Sequence, residues 1–157
     1  MCIFGYAYKA IDREFKARGN AIIEALEALD AQADIKNMIL AGDLNSVSVL
    51  DFTEETSSIH NNRGEVEWPV TSMLRDDGFI DSYRTVHLDP LKDVGDTWSY
   101  LYPANPQGRI DFIFSRGDKF TPISSEVHFY HPSMWISDHN MVVTSYKINR
   151  NEQTKND

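Results

Sequence analysis

The sequence predicts an α/β domain, of the α+β kind, with helices flanking mainly one mixed sheet. A helical pattern of apolar residues over residues 12–31 precedes a short apolar run at residues 39–41, and a helix followed by a buried strand is typical of such folds. Further runs of strand character follow. The length of 157 residues suits one domain of moderate size.

The first predicted elements lead to the strand at residues 39–41. Residues 1–8 are apolar and aromatic and indicate either a strand remnant or a loop. Apolar side chains recur near helical spacing over residues 12–31, and Gly19 within this pattern can divide it into two helices. The run Ile-Leu-Ala that follows is short and uninterrupted, as in a buried strand, and Gly42 marks its end.

The rest of the chain is expected to alternate loops with short elements. Residues 46–68 are polar and lack apolar periodicity, which indicates a long surface loop with one helical turn near residues 48–52. Pro69 suits the first turn of a helix that Gly78 ends. Residues 79–83 indicate a short strand or an extended link, and the other segments with strand character are residues 97–100, 109–114, 124–130 and 141–148.

Composition and charge restrict the classes of function. The net charge of −9 opposes broad attraction to nucleic acid or to an anionic membrane, although a bound divalent cation would reverse the local field. The single Cys2 excludes an intrachain disulfide framework and a cysteine-based zinc site. No apolar run approaches the roughly 18 residues of a membrane span. Residues 1–6 lack the pattern of a signal peptide, and the compartment stays open.

Asp43 and Asn45 are the first candidate catalytic pair. They follow the predicted strand at residues 39–41, and because they are two residues apart they would project to the same side of an extended backbone. A carboxylate beside an amide that both donates and accepts suits metal-assisted attack on a phosphate ester. The alternative is that both residues only cap a turn at the end of the strand.

Asp111 and His139 are the second candidate pair. Asp111 lies within an apolar strand, where an ionised carboxylate needs a partner because burying it alone is very costly. A bond from His139 to Asp111 would fix the tautomer of the ring and raise its basicity, so that the imidazole could act on a phosphoryl oxygen. Asp138 could bind Mg²⁺ through oxygen. Each residue alone is more often a cap or a satisfied polar group, but the conjunction favours in-line displacement at phosphorus.

Four separated motifs resemble those of the endonuclease/exonuclease/phosphatase superfamily, which has the DNase I-like fold. They are Gly42-Asp43-Leu44-Asn45-Ser46, Thr97-Trp98, Arg109-Ile110-Asp111-Phe112-Ile113-Phe114 and Ser137-Asp138-His139-Asn140. The resemblance implies that Asp43 activates water and Asn45 binds phosphate. It implies that Asp111 and His139 are the paired carboxylate and imidazole, and that Asp138 is a ligand of Mg²⁺ or Mn²⁺.

The resemblance also suggests how much of the family's domain is present. It covers about residues 18–148 and implies part of a four-layer α/β sandwich. No residue before the central strand fits the family's upstream Asn, metal-binding Glu and phosphate-contacting His or Tyr. We therefore expect residues 1–148 to be the C-terminal half of such a domain and residues 149–157 to be a polar tail. Thr97 and Trp98 would border the site, and Arg109 would have a structural or site-edge role.

The resulting hypothesis is a divalent-metal-dependent phosphoester hydrolase, either a phosphodiesterase or phosphatase or a nuclease, that is truncated as given. We expect the chain alone to be weakly active or inactive, and to self-associate through the apolar face that a missing sheet would leave. The alternative is a non-catalytic binding or interaction module that keeps the fold without the metal-binding Glu. Nucleic acid is a possible substrate, but Lys and Arg form no groove-tracking patch.

Overall fold

The described part of the chain combines helices with two small antiparallel sheets. The structure is a computed structural model that describes residues 3–32, 34–99, 101, 107–129 and 136–150. Within these ranges, no helix is both long enough and apolar enough to cross a membrane. Most of the predicted tail, residues 151–157, lies outside the described residues.

One helical segment runs from the first described residue to the loop before the sheet. Helix α1 covers Ile3–Glu14 and helix α2 covers Asn20–Asp30, and a π-helical turn over Phe15–Gly19 joins them. The predicted strand remnant or loop at residues 1–8 is wrong from residue 3 onward, because a short apolar run alone cannot distinguish a strand from a helix. The helical pattern is divided near Gly19, as predicted, but by a π-helical turn rather than by a break.

Three antiparallel strands form the sheet that carries the candidate site. Strand β1 is Met38–Asp43, β2 is Ile80–Asp81 and β3 is Asp111–Arg116, in the order β1–β3–β2. Strands β4, Phe120–His128, and β5, Met141–Ile148, form a separate two-stranded antiparallel sheet. The prediction of one mixed sheet is therefore wrong for the described residues. Strand direction depends on pairing between distant segments, which apolar periodicity does not encode.

The segment between β1 and β2 contains the predicted loop and helix, but the prediction that the loop lies at the surface is wrong. Phe52, Val66 and Trp68 are buried in it and form a second apolar cluster. The loop at residues 46–68 contains only turns, and helix α3 follows over Pro69–Asp76. The strand predicted at residues 79–83 stops early, and helix α4 begins at once over Ser82–Val86. The reason is local, because the Asp81 side chain accepts two backbone N–H hydrogen bonds from the first turn and caps the helix.

The core lies between the helices and one face of the three-stranded sheet. Its members are the buried Leu74, Phe79, Phe112 and Phe114, against which Ile22, Leu26, Leu29, Met38, Leu40 and Leu44 pack. Strand β1 is thus covered on one face only. On the other face Ile39 is 45% exposed, so the prediction of a buried strand is wrong for that face.

A buried ion-pair network lies beside this core. The carboxylate of Asp51 is 2.5 Å from Nε of Arg84 and 3.1 Å from Nη2 of Arg109, and Asp81 Oδ2 is 2.7 Å from the same Nη2. Burial opposes the positive charge of Arg109, but the two carboxylates outweigh it and raise the pKa of this guanidinium. Arg109 is only 2% exposed. Of the two roles expected for it, the structural one agrees with this position.

We predict that Arg109→Met destabilises the fold by about 3–5 kcal/mol, because it leaves two buried carboxylates short of a countercharge. Urea denaturation followed by tryptophan fluorescence measures the loss. Arg75→Met is the matched control, since its ion pairs with Glu67 and Asp76 are largely exposed and should contribute less than about 1 kcal/mol. Equal losses for the two variants would contradict the account of the network.

Candidate functional site

The pairing of β1 with β3 brings two carboxylates together where β1 ends and β3 begins. Asp43 and Asp111 are directly opposite partners in the antiparallel register. Like charges in directly opposite positions repel and destabilise a strand pair. The arrangement therefore needs hydrogen-bond donors or positive charge close to both carboxylates, and the surrounding residues supply some of each.

Asn45 supplies two donors to Asp43. Its backbone N–H donates to Asp43 Oδ1 at 2.7 Å, and its Nδ2 donates to Asp43 Oδ2 at 2.9 Å. Asn45 has a φ of 47°, in the left-handed region that asparagine tolerates better than most residues. The two side chains therefore meet because the chain turns sharply after β1, and not because an extended strand continues through Asn45 as the spacing argument assumed.

His139 supplies a donor to Asp111. Its Nδ1 lies 2.8 Å from Asp111 Oδ2. Partial burial opposes protonation of the ring, but the hydrogen bond to Asp111 and the negative charges of Asp111, Asp43 and Asp138 outweigh this effect and raise the pKa of His139. The edge-on ring of Trp98, with its centroid 4.8 Å from that of His139, limits the orientations of the imidazole.

Thr97 connects the segment that carries Asp111 to the segment that carries His139 through hydrogen bonds. It is fully buried, and its Oγ1 accepts hydrogen bonds from the backbone N–H groups of Ile110 and Asp111 at 2.9 and 3.0 Å. Its carbonyl oxygen accepts the backbone N–H of Asn140 at 2.8 Å. One residue thus joins the start of β3 to the loop that carries His139. The strand predicted at residues 97–100 is present only as isolated bridges at Trp98, and residue 100 lies outside the described residues.

One group of side chains in the described ranges could hold a metal ion. Ligand atoms of Asp43, Asp111 and His139 all lie within 4.8 Å of one another. Carboxylate oxygens are the ligands that Mg²⁺ and Mn²⁺ prefer. Asp138, the residue predicted to bind the metal, is exposed and lies outside this group. Its role as a ligand stays a prediction.

Two contacts that position the His139 loop were not predicted. Ser137 Oγ accepts the backbone N–H of His139 at 3.0 Å, and Ser99 Oγ donates to the carbonyl oxygen of Asp138. A serine two residues before His139 is typical of a local side-chain turn, so the first contact could have been inferred. The second joins residues that are 39 apart, and no local pattern indicates it.

The carboxylate–imidazole group lies along an open trough of about 770 Å³. Much of its wall is apolar and includes Ile113, Ile136, Met141 and Val142, while neither Lys nor Arg is among its described lining residues. Ile136 is 91% exposed and Met141 is 50% exposed. Exposed apolar side chains therefore adjoin the candidate site, while the expected self-association through an apolar face stays a prediction.

We predict that NMR titration of the His139 ring gives a pKa above its ordinary value of 6.5, and that Asp111→Asn lowers it. Since the folded-state pKa is raised, the interaction stabilises the fold fully below the unfolded-state pKa and is lost as pH rises through the folded one. Glu126→Gln is the control, because that exposed side chain pairs with His128 instead. An unchanged titration of His139 in Asp111→Asn would show that the carboxylate does not control the ring.

Comparison with known proteins identifies the family of the chain. Residues 10–139 match the profile of the Endonuclease/Exonuclease/phosphatase family, a range that includes Asp43, Asp111 and His139. An uncharacterised protein of Caenorhabditis elegans is 37% identical over 89 residues, which make up 51% of this chain and 28% of that protein. The match therefore spans less than a third of that relative's length. Because the family match covers most of the sequence, the chain belongs to the endonuclease/exonuclease/phosphatase family.

Proposed function

We propose that this chain carries catalytic residues of a divalent-metal-dependent phosphoester hydrolase, either a phosphodiesterase or phosphatase or a nuclease. The observation that supports the proposal most directly is the group formed by Asp43, Asp111 and His139 within the range of the family match. Two carboxylates and one imidazole of raised pKa are the groups that metal-assisted displacement at phosphorus needs.

Mg²⁺ or Mn²⁺ fits the donor set of this group. The carboxylates of Asp43 and Asp111 offer hard oxygen ligands, and Asp138 on the adjoining loop is a proposed further ligand. When bound, the ion supplies Lewis-acid stabilisation of the negative charge that develops on the phosphoryl oxygens. It would also relieve the repulsion between the two opposed carboxylates.

Asn45 and Asp43 would act as a pair on the substrate and on water. In the structure Asn45 Nδ2 donates to Asp43 Oδ2. If Nδ2 donates to a phosphate oxygen instead, Oδ2 can accept the proton of an attacking water, while the backbone N–H of Asn45 still orients the carboxylate through Oδ1. Phosphate binding and activation of water would then be coupled through one hydrogen bond.

His139 would stabilise negative charge on a phosphoryl oxygen of the substrate. Asp111 binds its Nδ1, and Nε2 is the nitrogen through which the ring would address a phosphoryl oxygen. The hydrogen bond to Asp111 makes Nδ1 the donor to that carboxylate and suits the ring to act toward the substrate through its other nitrogen. Asp111 would hold the tautomer and the orientation of the ring.

The residues that line the trough help to distinguish nucleic acid from small phosphoesters as the substrate. A nuclease that holds a long polyanion usually lines its groove with Lys and Arg, because most of its binding energy comes from phosphate contacts. Here the described lining contains neither residue, and the net charge is −9. These observations favour small phosphodiesters or phosphomonoesters over nucleic acid as the substrate.

We predict slow hydrolysis of bis(4-nitrophenyl) phosphate by the chain in the presence of Mn²⁺. His139→Ala and Asp43→Asn should each lower the rate by at least about 100-fold, since each removes a general acid–base or charge-stabilising group. Glu126→Gln, an exposed change outside the group, is the matched control. The assay follows nitrophenolate release, and a sample with EDTA tests the requirement for metal.

Hydrolysis that survives His139→Ala or EDTA would contradict the proposed chemistry. If neither hydrolysis nor Mn²⁺ binding is detectable in the unmodified chain, the results favour the second reading, a non-catalytic module that retains the fold. That reading predicts no effect of the metal on the unfolding temperature of either the unmodified chain or His139→Ala.

A further inference from the structure

Glu14, at the end of α1, is a buried carboxylate that the proposed chemistry does not use. It is 6% exposed, and its Oε1 accepts hydrogen bonds from Ser46 Oγ at 2.6 Å and from the backbone N–H of Val70 at 3.2 Å. Burial raises the pKa of Glu14 in spite of these two bonds and the charge of Arg18, which lower it. Burying a carboxylate costs free energy, so the contacts of Glu14 should show what its burial contributes.

The bond to Val70 gives Glu14 a structural role. Helix α3 begins at Pro69, and its N-cap residue, Trp68, makes no side-chain capping bond. The backbone N–H groups of a first helical turn have no partner within the helix, so an acceptor must come from elsewhere. Glu14 supplies one from 56 residues away. The hydrogen bond from Val70 is by itself enough for Glu14 to contribute to the stability of the fold.

The bond to Ser46 reaches the candidate site. Ser46 is 4% exposed and directly follows Asn45, while on the other side of Asn45 the backbone N–H of Leu44 donates to the carbonyl of Ile110 at 2.9 Å. The turn is therefore anchored on both flanks, and Asn45 lies between the anchors with its φ of 47°. Asparagine adopts this left-handed backbone more readily than most residues, and the two anchors fix the chain on either side of it.

We infer that Glu14 is a positioning residue of the site, which acts through Ser46 to hold the turn at Asn45. The hydrogen bond from Ser46 to Glu14 would keep the side-chain amide of Asn45 directed at Asp43 and at the proposed phosphate-binding position. What the turn does for a substrate rests on the proposed function, whereas the anchor itself rests only on the contacts of Glu14 and Ser46. The competing explanation is that Glu14 only caps α3.

Ser46→Ala separates these explanations, because it removes the link to the site and leaves the bond between Glu14 and Val70. Ser48→Ala is its matched control. Ser48 is 1% exposed and accepts a local hydrogen bond from the backbone N–H of Leu50 at 3.1 Å, so its replacement removes the same chemical group at the same depth. Glu14→Gln keeps an oxygen acceptor for both bonds, and Glu14→Leu removes it.

The experiment uses the whole chain and two measurements. One is the position of the Asn45 side-chain amide signals in ¹H–¹⁵N NMR spectra, and the other is the affinity for inorganic phosphate in the presence of Mg²⁺. We expect Ser46→Ala and Glu14→Leu to shift the Asn45 signals and to weaken phosphate binding about tenfold, as for a small misplacement of a binding group. Ser48→Ala and Glu14→Gln should leave both measurements close to those of the unmodified chain.

The possible outcomes distinguish the anchor from the proposed function. Unchanged Asn45 signals in Ser46→Ala would overturn the inference and leave Glu14 as a cap of α3. Equal effects of Ser46→Ala and Ser48→Ala would also overturn it. If the unmodified chain binds no phosphate but Ser46→Ala alone of the two serine variants shifts Asn45, the anchor is supported and the proposed function fails. If Glu14→Leu does not fold, Ser46→Ala still decides.

Discussion

The opposition of two carboxylates across neighbouring antiparallel strands is the constraint on which the rest of the site depends. The register of β1 and β3 places Asp43 opposite Asp111, and that placement is unfavourable unless other groups compensate it. Asn45 donates twice to one carboxylate and His139 once to the other. A divalent cation between the carboxylates would compensate their repulsion further, and the proposed metal-assisted hydrolysis would use the same cation.

Three sets of contacts hold β1 and β3 in this register. Phe112 and Phe114 anchor one face of β3 in the core, and Thr97 accepts the N–H groups at the start of the strand. Arg109, two residues before β3, is fixed by two buried carboxylates. A slip of one residue would move the phenylalanines out of the core and Asp111 away from Asp43, so burial and chemistry depend on the same alignment.

The candidate residues could be predicted from the sequence because each lies beside a recognisable local pattern. Asp43 ends an apolar run, Asp111 lies within another, and His139 belongs to the short polar motif just before the last apolar run. The contacts of Arg109 could not be predicted, since one of its partners, Asp51, lies 58 residues away in a polar loop. The link between Glu14 and Ser46 spans 32 residues and has no local signature either. Strand direction and the exposed face of β1 are likewise set by long-range pairing.

The most direct test of the central claim is a crystal structure of the chain grown with Mn²⁺, with anomalous data collected at the manganese edge. The account predicts an anomalous peak about 2.1 Å from carboxylate oxygens of both Asp43 and Asp111, the distance expected for a hard divalent cation. A peak bound only by residues elsewhere, or two unchanged carboxylates with no peak beside them at saturating Mn²⁺, would contradict it.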